Sequence, residues 1–405
     1  MVVRQSSIDI EARRALILLT IALICSMSPW FSATAVIPQL LREWALSDNA
    51  ASWLTIAVQL GFVSGALFSS FLNISDLVSP RHVVLGGAVG ASIANVLLTQ
   101  AHTSAVAIPL RGATGFFLAG VYPPALKMMA TWYRKGRGVA LGILVGALTL
   151  GSASPHLVNA LGGLNWKVVI YVTSLLTLVG GLAAEIAGEG PFPFAKATFN
   201  PRQARKVFSQ RSVRLASLGY FGHMWELYAM WAWFLVFLSR SLDPAGPPTR
   251  AAAYVTFFVI GVGAVGCWVG GVLGDRWGRT KTTSLMMAIS GTCALSIGAF
   301  FHGPTWAVVA VGLLWGFTVV ADSAQFSTIV TELADQAYVG TALTLQLAVG
   351  FTLTVATIWL IPLLQSSIGW QWAFAFLAPG PALGLFAMIR LGSSPEASWI
   401  AEGRG

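Results

Sequence analysis

Twelve apolar windows, each long enough to cross a bilayer, divide this sequence almost from end to end. A hydrocarbon core about 30 Å thick takes about 20 apolar residues in a helix rising about 1.5 Å per residue. Windows of that length, bounded by charged or turn-forming residues, fall at 15–41, 50–74, 82–101, 105–132, 138–161, 166–186, 215–239, 251–274, 282–301, 305–330, 339–365 and 368–391. Charged residues are 10% of the chain, against about 25% in soluble domains, so the windows are not the cores of a water-soluble protein. The expectation is an all-α membrane protein of twelve transmembrane helices. Arg13 and Arg14 before the first window look like an export signal. That apolar run is longer than a signal needs and eleven spans follow it, so it is read as an uncleaved helix.

Basic residues set the orientation, because Lys and Arg are retained on the cytoplasmic side. With the N-terminus inside, eighteen of them lie in cytoplasmic segments and four outside, Arg42, Lys167, Arg240 and Arg250. Both termini are then cytoplasmic, and a bacterial inner membrane is the expected location. The same asymmetry accounts for the net charge of +9 without a nucleic-acid partner. Cys25, Cys267 and Cys293 fall in separate spans with no C-x-x-C or His pair at metal spacing, so they read as packing residues and no metal site is expected.

The longest polar stretch, "GEGPFPFAKATFNPRQARKVFSQRSVR", separates six windows from six. The division is a bundle over 1–190, a cytoplasmic linker over 191–213 and a second bundle over 214–405. The loop after the eighth window reads "GVLGDRWGRTK", and its counterpart after the second reads "LNISDLVSPRH". Asp275 and Asp76 stand 199 residues apart, as an internal duplication requires.

Gly271, Leu273, Asp275, Arg276, Gly278 and Arg279 match the G-x-L-x-D-R-x-G-R loop, and the chain resembles the major facilitator superfamily over its whole length. The twelve spans, the basic linker and Arg111 near the outer end of the fourth span agree. The resemblance implies two six-helix bundles that move a small solute by alternating access. The loop also has a reading of its own: glycines permit tight turns, Asp275 accepts hydrogen bonds from a neighbouring helix end, and Arg276 and Arg279 stay at the surface. Such groups form a conformational latch, or simply a short loop obeying the charge rule. The first copy keeps Asp76 and Arg81 but has lost its glycines.

Ionisable residues inside the spans are functional candidates, since a charge there is costly unless it pairs, meets water or takes up a proton. Glu226 lies roughly 18 Å along its helix from Arg214, near the midplane. His223, three residues earlier, shares a face with it, as do Tyr220, Met230 and Trp233. The pair reads as a proton carrier, with a structural clasp as its alternative. Arg111 either attracts an anionic solute or braces helices. Asp322 is a second titrating group or a polar partner. Tyr122, Trp30, Gln59 and Gln346 complete the candidate lining. Gln39, Thr34, His156 and Asn159 read as interhelical hydrogen-bonding groups.

The fifth window keeps Gly142 and Gly151 at the spacing of the superfamily's drug-antiporter signature, but Pro155 comes one position early and His156 follows it. Nitrate-binding arginines are also missing from the second and eighth windows. The expectation is therefore a proton-coupled secondary transporter for an anionic or amphipathic organic solute, working as a monomer in lipid without a cofactor. The alternatives are an uncoupled facilitator or a drug or metabolite efflux carrier. A membrane-embedded enzyme would need a nucleophile or metal motif, and a sensor would need a signalling domain. ATP-driven transport is disfavoured because no G-x4-G-K-[ST] occurs.

Overall fold

The computed structural model describes residues 2–133, 137–162, 164–192, 206, 208–244, 246, 249–335 and 339–404. The long helices of the first half are α1 (Val2–Ser26), α2 (Asn49–Phe71), α3 (Pro80–Gln100), α4 (Ser104–Trp132), α5 (Val139–Leu161) and α6 (Trp166–Ala187). Those of the second are α7 (Arg211–Leu242), α8 (Arg250–Trp277), α9 (Arg279–Phe300), α10 (Thr305–Leu333), α11 (Val339–Ile368) and α12 (Trp370–Gly392). Ten of them, all but α1 and α7, are long and apolar enough among the described residues to cross a membrane. With α1 and α7 they make the twelve expected, in two six-helix bundles. Most of the linker expected at 191–213 lies outside the described residues.

Small residues set the closest packing, and they do so at matching places in the two halves. A Cβ on Gly61 of α2 would stand 2.0 Å from the Gly112 carbonyl oxygen of α4. A Cβ on Gly266 of α8 would stand 2.0 Å from the Phe317 oxygen of α10. In lipid, where apolar side chains gain nothing by leaving the solvent, such backbone approach is a main source of helix association. Gly278, at φ 105°, turns the chain between α8 and α9 in a conformation that a Cβ would oppose.

Across the halves, α2 packs on α11 and α5 on α8. Phe62 and Phe351 meet with ring centroids 4.8 Å apart, and Trp359 Nε1 donates to Asn49 Oδ1 at 3.1 Å. Between them Trp30, Phe31, Phe62, Tyr228, Trp231 and Phe351 fill the centre, each no more than 5% exposed.

Several helices are interrupted, and the first departs from expectation. The window at 15–41 reads as one helix, but α1 ends at Ser26, turns through residues 27–33 and resumes only at Ile37–Glu43. Pro29 explains the break, since it lacks an N–H and its ring clashes with the preceding turn. Helix α4 breaks between Leu118 and Tyr122, and α10 breaks at Asp322 between Thr305–Ala321 and Ser323–Leu333. Val121 and Asp322 are 201 residues apart, close to the 199 of the repeated loop.

Candidate functional site

The expected His223–Glu226 pair does not form. Glu226 turns into its own bundle, where its Oε1 accepts from Trp315 Nε1 at 2.7 Å and its Oε2 from Ser290 Oγ at 2.9 Å. His223 instead points its Nδ1 at Asp322 Oδ1, 2.9 Å away, with both side chains almost fully buried. The reason is geometric: three residues along a helix leave about 60° between two side chains, enough for packing to send them to different neighbours. Glu226 is thus held as a clasp of α7 to α9 and α10.

Asp322 sits where α10 is interrupted. It stands at the N-terminus of Ser323–Leu333 but makes no capping bond to that helix. It contacts His223 as an ion pair, and neither Asp322 Oδ1 nor His223 Nε2 has a hydrogen-bond partner among the described residues. Tyr220 lies with its ring centroid 6.1 Å from that of His223. Cys267 of α8 is within electrostatic range of Asp322 and 3.9 Å from Thr149 Oγ1 of α5. Tyr122 opens the helix just past the break in α4, and Tyr228 packs on Trp30, Phe31, Trp231 and Phe351. The break in α10 thus sets Asp322 against His223, with Tyr220 beside the imidazole and the Cys267–Thr149 contact between α8 and α5 nearby.

Arg111 is a brace. It is fully buried, and its guanidinium donates to the Pro29 oxygen at 2.9 Å, Ser32 Oγ at 3.2 Å, Asn95 Oδ1 at 3.2 Å and the Leu54 oxygen at 3.2 Å, and also to the Trp30 oxygen. The break in α1 needs it, because residues 27–33 free carbonyls that lipid cannot satisfy.

Other expected lining residues divide. Trp30 packs on Phe62, Phe351 and Tyr228. Gln59 is buried with neither amide atom hydrogen-bonded, and Gln346 Nε2 and both His156 nitrogens are in the same condition. Met230 is fully buried. Trp233 donates to the Ile358 oxygen at 2.9 Å and lines a separate 440 Å³ cavity with Arg240, Gln365 and Trp370, so it belongs elsewhere. Gln39 and Asn159 bond each other at 2.8 Å, and Thr34 bonds Thr55 at 2.8 Å, as interhelical groups do.

The residues expected to form a latch are arranged differently from expectation. Arg276 is exposed, but Arg279 is buried rather than held at the surface. It donates to both Glu332 oxygens at 2.9–3.2 Å, to Gln325 Oε1 at 2.9 Å and to Asp275 Oδ1 at 3.2 Å. Glu332 also accepts from the Ala401 N–H at 3.1 Å, tying in the C-terminal segment. At the first copy Arg81 lies 3.5 Å from Glu185, and the side chain of Asp76 lies outside the described set.

Sequence reasoning missed Glu332, Glu185, Asn95, Ser290 and Trp315. Only Asn95, a lone amide in an apolar window, carried a signal of its own.

The Major Facilitator Superfamily profile matches residues 19–353. The chain belongs to that superfamily. It is an integral membrane protein of a transporter family whose solutes are small molecules. It is 24% identical over 314 residues to a gallate transporter of Pseudomonas putida, covering 68% of each chain. Two solved structures share its fold. One is a bacterial homologue of the human lysosomal transporter Spinster, inward-facing and unoccupied, with TM-score 0.68 and 15% identity over 94% of this chain and 95% of that one. The other is a point mutant of the nucleoside transporter NupG, with TM-score 0.70 and 14% identity over 93% of this chain and 99% of that one.

Proposed function

We propose that this chain is a proton-coupled secondary transporter of a small amphipathic organic solute, and that Asp322 with His223 is its titrating pair. The observation that carries the reading is the 2.9 Å approach of His223 Nδ1 to Asp322 Oδ1 at a buried helix interruption on the interface of the halves. Interrupted helices at matching positions of two repeats are where transporters of this kind build their sites. Tyr220 beside the pair supplies a ring and a hydroxyl for an amphipathic solute.

Coupling follows from the cost of charge. An ionised Asp322 can stay wet when one side is open, but closing the halves over it strips that water away. A proton, or a solute that neutralises the carboxylate, removes this penalty and lets the site change sides. The Arg279–Glu332–Gln325–Asp275 network is the element that must rearrange as α8, α9 and α10 shift. The bundles at 1–190 and 214–405 are the moving bodies, joined by a linker at 191–213. The basic-residue asymmetry supports cytoplasmic termini and a bacterial inner membrane.

The test is reconstitution into liposomes with an imposed pH gradient and a panel of labelled aromatic acids, amines and nucleosides. A solute accumulated by wild type and not by Asp322→Asn, with the variant recovered as a single folded species, is the expected result. Equal accumulation by both would remove Asp322 from the coupling step.

A further inference from the structure

The buried charges do not match an anionic solute. Among the described residues, the buried arginines, lysines and carboxylates are Arg111, Arg279, Glu226 and Asp322. Both arginines are consumed. Arg111 gives its donors to five oxygens inside the first bundle, and Arg279 is spent on Glu332, Asp275 and Gln325 at one end of the second. Lys127, further along α4, has an interaction of its own. Glu226 is occupied by two neutral donors, Trp315 and Ser290. Asp322 therefore faces the interface with only the imidazole of His223 as counter-group.

We infer that the solute is an organic cation with an aromatic part, a protonated aromatic amine, which binds Asp322 in place of the proton and is exchanged for it. The inference rests on the reading above that Asp322 and His223 form the solute and proton site. An anion entering there would meet a carboxylate with no arginine to offset it. An ammonium group would complete an ion pair with Asp322, and its ring would lie beside Tyr220, whose face favours cations. Asp322 Oδ1 and His223 Nε2, neither of them hydrogen-bonded among the described residues, supply one acceptor for the ammonium and one polar atom for a substituent. The exchange balances: the carboxyl O–H breaks, the proton leaves to water, and the carboxylate takes the ammonium as its counter-ion. The titratable groups around Asp322 are His223, Tyr220 and Glu226 of α7 and Cys267 of α8, while α5 contributes the neutral Thr149 beside Cys267.

Matched ligand pairs test this with the purified full chain in detergent: tryptamine against indole-3-acetate, and phenethylamine against phenylacetate. Calorimetry in buffers of differing ionisation enthalpy gives both affinity and protons released. The amines should bind at least about ten-fold tighter than their acids at alkaline pH. Where the site is protonated, their affinity should fall about ten-fold per unit drop in pH, with close to one proton released. Asp322→Asn should lose the proton release and most amine affinity while eluting as a single folded species. His223→Gln keeps the carboxylate and should keep the preference for amines. Acids binding as well as amines, or neither class binding, would overturn the inference. If acids bind and Asp322→Asn still abolishes proton exchange, the solute class falls and the proton site stands. If amines bind without exchanging a proton, the cation preference stands and the coupling falls.

Discussion

Arg111 and Asp322 are both buried charges at helix interruptions, one in each half, and they are treated in opposite ways. Arg111 has five oxygen partners, two of them the Pro29 and Trp30 carbonyls in the break of α1. Asp322 has one close neighbour and an oxygen with no hydrogen bond. A buried charge whose partners are complete is fixed, because any movement must break several bonds at once. One whose partners are incomplete can accept a proton or a ligand, and its cost in the resting state is what binding relieves.

The comparison breaks most severely at Arg111. At about 0.6 kcal/mol for an interhelical hydrogen bond in a bilayer, its five contacts come to roughly 3 kcal/mol, so Arg111→Met should abolish recovery of monodisperse protein by size-exclusion chromatography. Transport by a well-folded Arg111→Met would mean that the cluster is not a brace. Asp322→Asn should leave folding intact and reduce pH-driven accumulation at least about ten-fold, measured in liposomes. Glu332→Gln and Arg279→Gln should each slow exchange between states several-fold, and together no more than either alone, because they break one network. Additive slowing would show that they act separately. Glu226→Gln should be the mildest, with coupled uptake within about two-fold of wild type, since the amide still accepts from Trp315. Glu226→Ala should lower thermal stability by opening that clasp.

The spans were legible because lipid imposes a length and a composition on every helix, and the repeated loop was legible because its glycines leave a pattern. The break at Pro29 had a local cause in plain view. The break at Asp322, in "VVADSAQ", had none, since no proline or glycine marks it and it depends on packing against α7 and α8. Partner choice was the hidden part. His223 and Glu226 are close neighbours in sequence, but Ser290, Trp315 and Asp322 lie 64 to 99 residues further along the chain, and only the folded bundle decides which of them each side chain meets. Glu332 escaped notice for the same reason, because a carboxylate at a helix end looks like ordinary surface until Arg279 is brought to it.

The claim that the titrating carboxyl is Asp322 and not Glu226 is tested most directly by infrared difference spectroscopy of the purified chain between acidic and alkaline pH, watching the C=O stretch of buried protonated carboxyls. Wild type and Glu226→Gln should both show a band that disappears as the pH rises, and Asp322→Asn should lack it. A band retained in Asp322→Asn and lost in Glu226→Gln would contradict the account and return the proton to α7.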